Sequence, residues 1–397
     1  MHARHAVAAL LVAVSPMLFA ATPEQWRRDL AYFARELPKR HANAFHAVSR
    51  ETFDATVREL DSRTETASDA EMVVGLMRLT ALVGDGHTNV HIPKEWNRLA
   101  IQIQTFGDEW RVTRVTPATK AILGAKVTAI GGMAIADVVQ RLAPLSPQDE
   151  LPPLQRATLV ANMHIVEVLR GVGVNPAEIT AVADDGTSST VPVAAIPLAA
   201  QMQQQWVPLS AETPPLSRRD PQSAFVIQNV SERKAVYVNW RRYDNLSDNA
   251  AKLWQLVDSV GATTVVIDLR QNGGGDFKVG RRYMVSEAAK RAAKVKTIVL
   301  IGARTFSAAM VNAIDFRNEA HALLAGDTIG EKPNSYSEND EMTLPASRLV
   351  LSYSTRYYKF VPDDAPNVVE PDQRVEQTWA DAKAGRDAAL DWALSRK

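Results

Sequence analysis

The stretch from Ala235 to Asp327 constrains this chain more than any other, because short apolar runs alternate along it with amphipathic ones. "KAVYVNW", "TTVVIDL", "TIVLIG" and "HALLAGD" read as strands, and "DNAAKLWQLVDSV", "GRRYMVSEAAKR" and "SAAMVNAIDFR" between them read as helices. Strands separated by whole helices do not close as hairpins, so the pattern specifies a mostly parallel sheet covered by helices, an α/β architecture. Within it, "VVIDLRQNGGGDF", Val265 to Phe277, runs a buried strand straight into three consecutive glycines. Glycine removes the Cβ where the backbone itself must come close to something.

What that loop serves is narrowed by its neighbours. A dinucleotide or phosphate loop wants G-x-G-x-x-G or a G-K-[ST] ending, and "NGGGDFKVG" has neither. Ser307 opens a helix immediately after the strand "TIVLIG" and the turn "ARTF", where free N–H groups and the positive helix end favour developing negative charge. Such a serine is either a plain helix cap or a nucleophile. If the glycine run lies beside it, the N–H groups of Gly274 and Ala308 can hold an oxyanion at ~3 Å.

A serine nucleophile needs a base. His2 and His5 belong to the amino-terminal segment, which leaves His41, His46, His87, His91, His164 and His321. His87 stands apart because "GDGHT", Gly84 to Thr88, is a glycine-rich turn leaving a buried helix, with Asp85 two residues away. "HTNVH" lacks the Glu of H-E-x-x-H and continues as a strand, so no metal site is expected and no cofactor is implied. "SERK", Ser231 to Lys234, and "SDN", Ser247 to Asn249, imitate penicillin-binding motifs, but Ser231 precedes a strand where such a serine should open a helix.

The rest of the chain divides by composition. Residues 1–20 pair Arg4 with an apolar stretch and small residues before a polar start, the form of a secretory signal, which predicts a periplasmic or secreted protein without a stable membrane span in the mature chain. Residues 22–95 read as a helical region carrying His87: Trp26, Leu30, Phe33 and Leu37 recur at helical spacing, and "SDAE" caps a helix from Glu71 to Val83 that Gly84 stops. Residues 96–150 read as a small β-rich inserted module, and 151–215 as a helix, a hairpin turning at "DDG" and a proline-rich linker. Residues 216–397 are expected to form one domain carrying the candidate nucleophile Ser307. With 397 residues and 46% hydrophobic content, the chain can build two or three cores. Lys plus Arg equals Asp plus Glu at 45 each, so no net field draws it to nucleic acid, and the absence of cysteine excludes disulfides and thiol catalysis.

Taken together, "GDGHT", "VVIDLRQNGGGD", "TFSAAM" and "VEPDQRVEQTWADAKAGRDAALDWAL" resemble the tail-specific, or carboxyl-terminal-processing, serine protease superfamily. The likeness is to the histidine-containing branch related to the tricorn core protease and the interphotoreceptor retinoid-binding modules. It implies a crotonase-like (ClpP/crotonase-type) α/β catalytic core and an exported serine endopeptidase acting on polypeptides. Ser307 matches the nucleophile, and Gly274 and Ala308 match the oxyanion donors. The two branches of the superfamily differ in their base, which falls here on His87 or on Lys332. An imidazole with a pKa of about 6.5 is ready at neutral pH, whereas a lysine near about 10.4 must first be desolvated, and Lys332 sits in the polar run "GEKPNSYSEND", so His87 is favoured. The branch places an orienting acid late in the chain, where "FVPDDAPNVVEPD" offers Asp363, Asp364 and Glu370, with Asp364 preferred. Asp327, Met310 and Glu331 depart from the pattern, Glu331 at a usual glycine. "ILGAKVTAIGGMAIADVVQRL" looks like the second half of a PDZ domain. Because retinoid-binding relatives share the fold, the alternative is a catalytically silent binding protein holding an apolar ligand or peptide.

Overall fold

The structure, a computed structural model, describes residues 21–396 other than 202 and 211–213. The stretch expected as an export signal lies outside the described residues. Three helices open the described part of the chain, Pro23–Arg40, Arg50–Ser62 and Asp69–Val83. Trp26, Leu30, Phe33 and Leu37 turn one face of the first into the core, and Thr22 with Gln25 closes its amino end as a reciprocal cap. Ser68 and Glu71 do the same for the third, which ends at Gly84 with φ 111°. A side chain there would be strained and would put a Cβ 2.7 Å from that of Ala47. The helix Arg50–Ser62, capped by Ser49 and burying Phe53 and Leu60, was not singled out by the sequence pattern.

The inserted module is larger than its composition suggested. Lys126–Ile130 pairs antiparallel on one side with Glu109–Val115 and on the other with Glu178–Val182, whose hairpin partner is Ser188–Pro192. The boundary expected at residue 150 therefore falls inside one seven-stranded sheet, and the helices Pro152–Met163 and Val166–Gly171 are crossings between its strands. Long-range pairing decided this, which composition does not register.

The carboxyl-terminal half carries a six-stranded sheet in the order Phe225–Val230, Ala235–Trp240, Thr264–Asp268, Lys296–Ile301, Leu323–Gly326, Gln373–Arg374. Its first pair is antiparallel and the rest are parallel. The strands read as continuous apolar runs because both faces are covered; every residue of Ala235–Trp240 and of Thr264–Asp268 is buried. The covering includes the helices Leu246–Ser259 and Ala308–Glu319.

A hairpin of Asn334–Thr343 and Val350–Lys359 joins the two halves. Its second strand also pairs with Asn89–Val90, in the register Asn89 with Ser352 and Val90 with Leu351, so the segment after "GDGHT" is drawn against the carboxyl-terminal half. The first strand was expected as an exposed polar run. It buries only Met342 among its ten residues, so it shows no strand-like alternation to read. No helix among the described residues is long and apolar enough to cross a membrane.

Candidate active site

Ser307 stands between the strand Lys296–Ile301 and the buried helix Ala308–Glu319. Its backbone takes φ 54° and ψ −127°, a left-handed conformation that costs a non-glycine residue about 1–3 kcal/mol. The turn before it is over-determined. Thr305 Oγ1 donates to Leu269 O at 2.9 Å, and Phe306 N–H donates to Asn272 O at 3.0 Å. Asn272, fully buried, donates from Nδ2 to Trp240 O at 3.0 Å. The Ser307 hydroxyl makes no capping hydrogen bond, so the plain helix-cap reading does not describe it.

The glycine loop lies where the sequence argument wanted it. A Cβ on Gly274, whose φ is 107°, would sit 2.7 Å from Ser307 Cβ, 3.1 Å from Phe306 O and 3.2 Å from Ala308 N. No side chain fits there. Ala308 N–H, the first of the helix, has no partner among the described residues. Gly274 N–H is not free: it donates to Asn272 Oδ1 at 2.9 Å. An oxyanion pair of Gly274 and Ala308 therefore requires the Asn272 carboxamide to let go.

His87 is placed by a different kind of support. Asp85, 2% exposed, accepts from the N–H groups of His87 and Thr88 at 3.1 and 2.9 Å, from Thr88 Oγ1 at 3.0 Å and from Ser354 Oγ at 2.6 Å. It also meets His41 Nε2 at 2.9 Å, and because His41 Nδ1 accepts from Asn43 N–H, that Nε2 carries the hydrogen. The carboxylate so held ties the first helix, the "GDGHT" turn and the hairpin together. His87 itself stacks on Phe306 with centroids 4.5 Å apart. Its Nε2 is 3.1 Å from Ser337 Oγ, and its buried Nδ1 has no hydrogen-bond partner among the described residues. Burial lowers its pKa to about 4, so the ring is neutral at pH 7.

His87 and Ser307 line one cleft of about 310 Å³ with Gly86, Gly273, Gly275 and Asn339. No hydrogen bond joins the imidazole to the Ser307 hydroxyl. Lys332 is not in this cleft; its Nζ is 2.6 Å from Asp149 Oδ1. Asp364 is exposed beyond the end of the hairpin, with no hydrogen bond or ion pair to His87, so the structure does not bring the preferred orienting acid to the site. Of its neighbours, Asp363 pairs with Lys359, and Glu370 with Arg374.

The acid at the site is one the motif reading treated only as a departure. Glu331, 1% exposed, accepts the Ser307 N–H on Oε2 and holds Oε1 3.6 Å from His87 Nδ1. Burial raises its pKa well above the usual carboxylate range, and the nearby Glu150 and Asp85 carboxyls raise it further. Glu150 accepts from Gly86 N–H at 3.0 Å and from Lys332 N–H at 2.9 Å, and burial lifts it to about 7. A carboxylate in place of a glycine was the visible signal for Glu331. For Glu150 and Ser337 there was none. Among the described residues no cluster of His, Cys, Asp or Glu is arranged to hold a metal ion.

No family model matches the chain, and no curated protein does. Solved structures do match. Mature CPAF complexed with lactacystin aligns with a TM-score of 0.65 at 12% identity over 94% of this chain and 97% of that one. Mature CPAF by itself gives 0.63 at 12% identity, over 94% and 96%. The chain shares the fold of CPAF. The photosystem II D1 C-terminal processing protease also aligns, with a TM-score of 0.42 and 13% identity over 89% of this chain and 93% of that one. At such identities the likeness is one of mixed α/β fold, and it bears out the resemblance seen in the motifs at that level.

Proposed function

We propose that this protein is an exported serine endopeptidase that hydrolyses peptide bonds of polypeptide substrates through an acyl-enzyme on Ser307. The observation that carries the reading is a serine held at positive φ at the head of a buried helix, uncapped, sharing a cleft with a desolvated neutral histidine. In the first step Ser307 Oγ attacks the scissile carbonyl carbon while its proton passes to His87. Ala308 N–H and Gly274 N–H, the latter released from Asn272, hold the oxyanion. His87 then gives its proton to the leaving amine, the C–N bond breaks, and water repeats the sequence on the ester. We read the six-stranded half as crotonase-like and the segment of residues 96–150, within the larger seven-stranded sheet, as PDZ-like.

Labelling with a serine-directed fluorophosphonate tests this. The protein should label at one site, Ser307→Ala should abolish it, and unchanged labelling of that variant refutes the assignment. The absence of a hydrogen bond between the His87 imidazole and the Ser307 hydroxyl is the observation that favours the rival, a silent binder of a peptide or apolar ligand. That reading predicts no labelling and no Ser307-dependent fragments from an unstructured polypeptide.

A further inference from the structure

We infer that Glu331 is a positioning residue that sets which nitrogen of His87 carries the hydrogen, and thereby switches the base on. The inference rests on the peptidase reading above and deepens it. Glu331 touches both chemical segments: one oxygen accepts the backbone N–H of Ser307, and the other lies 3.6 Å from Nδ1 of His87, which has no hydrogen-bond partner among the described residues and is within reach of a small ring rotation.

The carboxyl has two settings. With its proton kept, Oε1–H faces Nδ1 and donates to it, which leaves the ring hydrogen on Nε2, directed at Ser337 Oγ, 3.1 Å away. Both nitrogens are then committed, and the ring has no lone pair for the serine proton. With the proton lost, Nδ1–H turns to the carboxylate, Nε2 becomes the acceptor, and the negative charge stabilises the imidazolium formed when Ser307 reacts. The groups facing Glu331 favour the first setting near neutral pH. Burial, the Glu150 carboxyl and Asp85 all oppose its ionisation, Asp85 is itself bound to His41, and the adjacent Lys332 is drawn off to Asp149.

The consequence is a rate profile that His87 alone cannot produce. An imidazole neutral above about pH 4 gives a plateau from about pH 5 upward. The Glu331 setting adds a second rise at higher pH. The experiment measures the fluorophosphonate labelling rate from pH 5 to pH 10 for the full chain, Glu331→Gln and Glu150→Gln, with melting curves to verify folding. Glutamine fits the same space, accepts the Ser307 N–H and donates to Nδ1, so Glu331→Gln should lose the second rise and label at least ~10-fold more slowly at pH 9. Glu150→Gln should keep the rise and move its midpoint to lower pH, because a charge that raises Glu331 is gone. A wild-type profile in Glu331→Gln overturns the inference while leaving the peptidase reading intact, as does an unmoved midpoint in Glu150→Gln. Absence of labelling in the unmodified protein overturns the peptidase reading, and this one with it. The tautomer is also read without turnover: in Ser307→Ala, nitrogen-15 shifts of the His87 ring should exchange Nε2–H for Nδ1–H as pH rises, and in Ser307→Ala with Glu331→Gln they should not.

Discussion

The two halves of the cleft are built by different means. On the Ser307 side the support is short in sequence and made largely of backbone: Gly274, Asn272 and Thr305 lie within one strand-end loop and the next, locked by parallel pairing of Thr264–Asp268 with Lys296–Ile301. On the His87 side the support is long-range and made of side chains, with Asp85 reaching 44 residues back to His41 and 269 forward to Ser354. A nucleophile must hold one strained backbone conformation, and local steric exclusion does that. A base must be aimed from elsewhere and kept desolvated, which takes charge and hydrogen bonds from several elements at once.

The largest break in that comparison is Gly274→Ala. A Cβ 2.7 Å from Ser307 Cβ at φ 107° displaces the loop, so labelling should fall by ~10²–10³-fold while the protein still folds. Labelling within a few-fold of the parent would show that the loop does not serve the nucleophile. Next, Asp85→Ala strands five buried donors and should destabilise the fold by about 3 kcal/mol or more in urea unfolding, with His87 chemistry lost besides. A loss under about 1 kcal/mol would mean the hub is not what holds the base.

A third comparison uses pH. Folded His87 has its pKa lowered to about 4 against about 6.5 unfolded, so between those values the unfolded chain takes a proton the folded one refuses. Its contribution is present above pH 6.5 and is lost as pH falls to about 4. His87→Gln should remove up to about 3 kcal/mol of that acid destabilisation, measured as the slope of unfolding free energy with pH. Glu331 acts with the other sign. Its raised pKa gives stability present in acid and lost as pH climbs through the folded value. The smallest effects belong to the residues left outside. Lys332→Met and Asp364→Asn should each leave labelling within about twofold and stability within about 1 kcal/mol. Loss of labelling in Lys332→Met, with His87→Gln still active, would transfer the base role to the lysine.

Much of the α/β half was legible because its strands are apolar on both faces and its helices are long and periodic, as with Thr264–Asp268 and Leu246–Ser259. The glycine loop and Ser307 were legible for a related reason, since backbone requirements such as positive φ and close approach leave their mark on residue type at the position itself. His87 was legible from its turn. The strand Asn334–Thr343 was not, and neither was the true extent of the inserted sheet, because their pairing depends on partners far along the chain and leaves almost no hydrophobic period behind.

By itself, then, the amino-acid order determined a parallel sheet and a glycine-lined helix entrance, and it singled out a serine and a histidine that the fold brings to one cleft. Only the folded molecule decided which acid joins them. Asp364 has the residue type for the task but ends in solvent, while Glu331, in the wrong place by motif, is buried between the Ser307 amide and the His87 ring. The reason is physical: a carboxyl group's role follows from its desolvation and its neighbours, and both are properties of position in space rather than position in the chain.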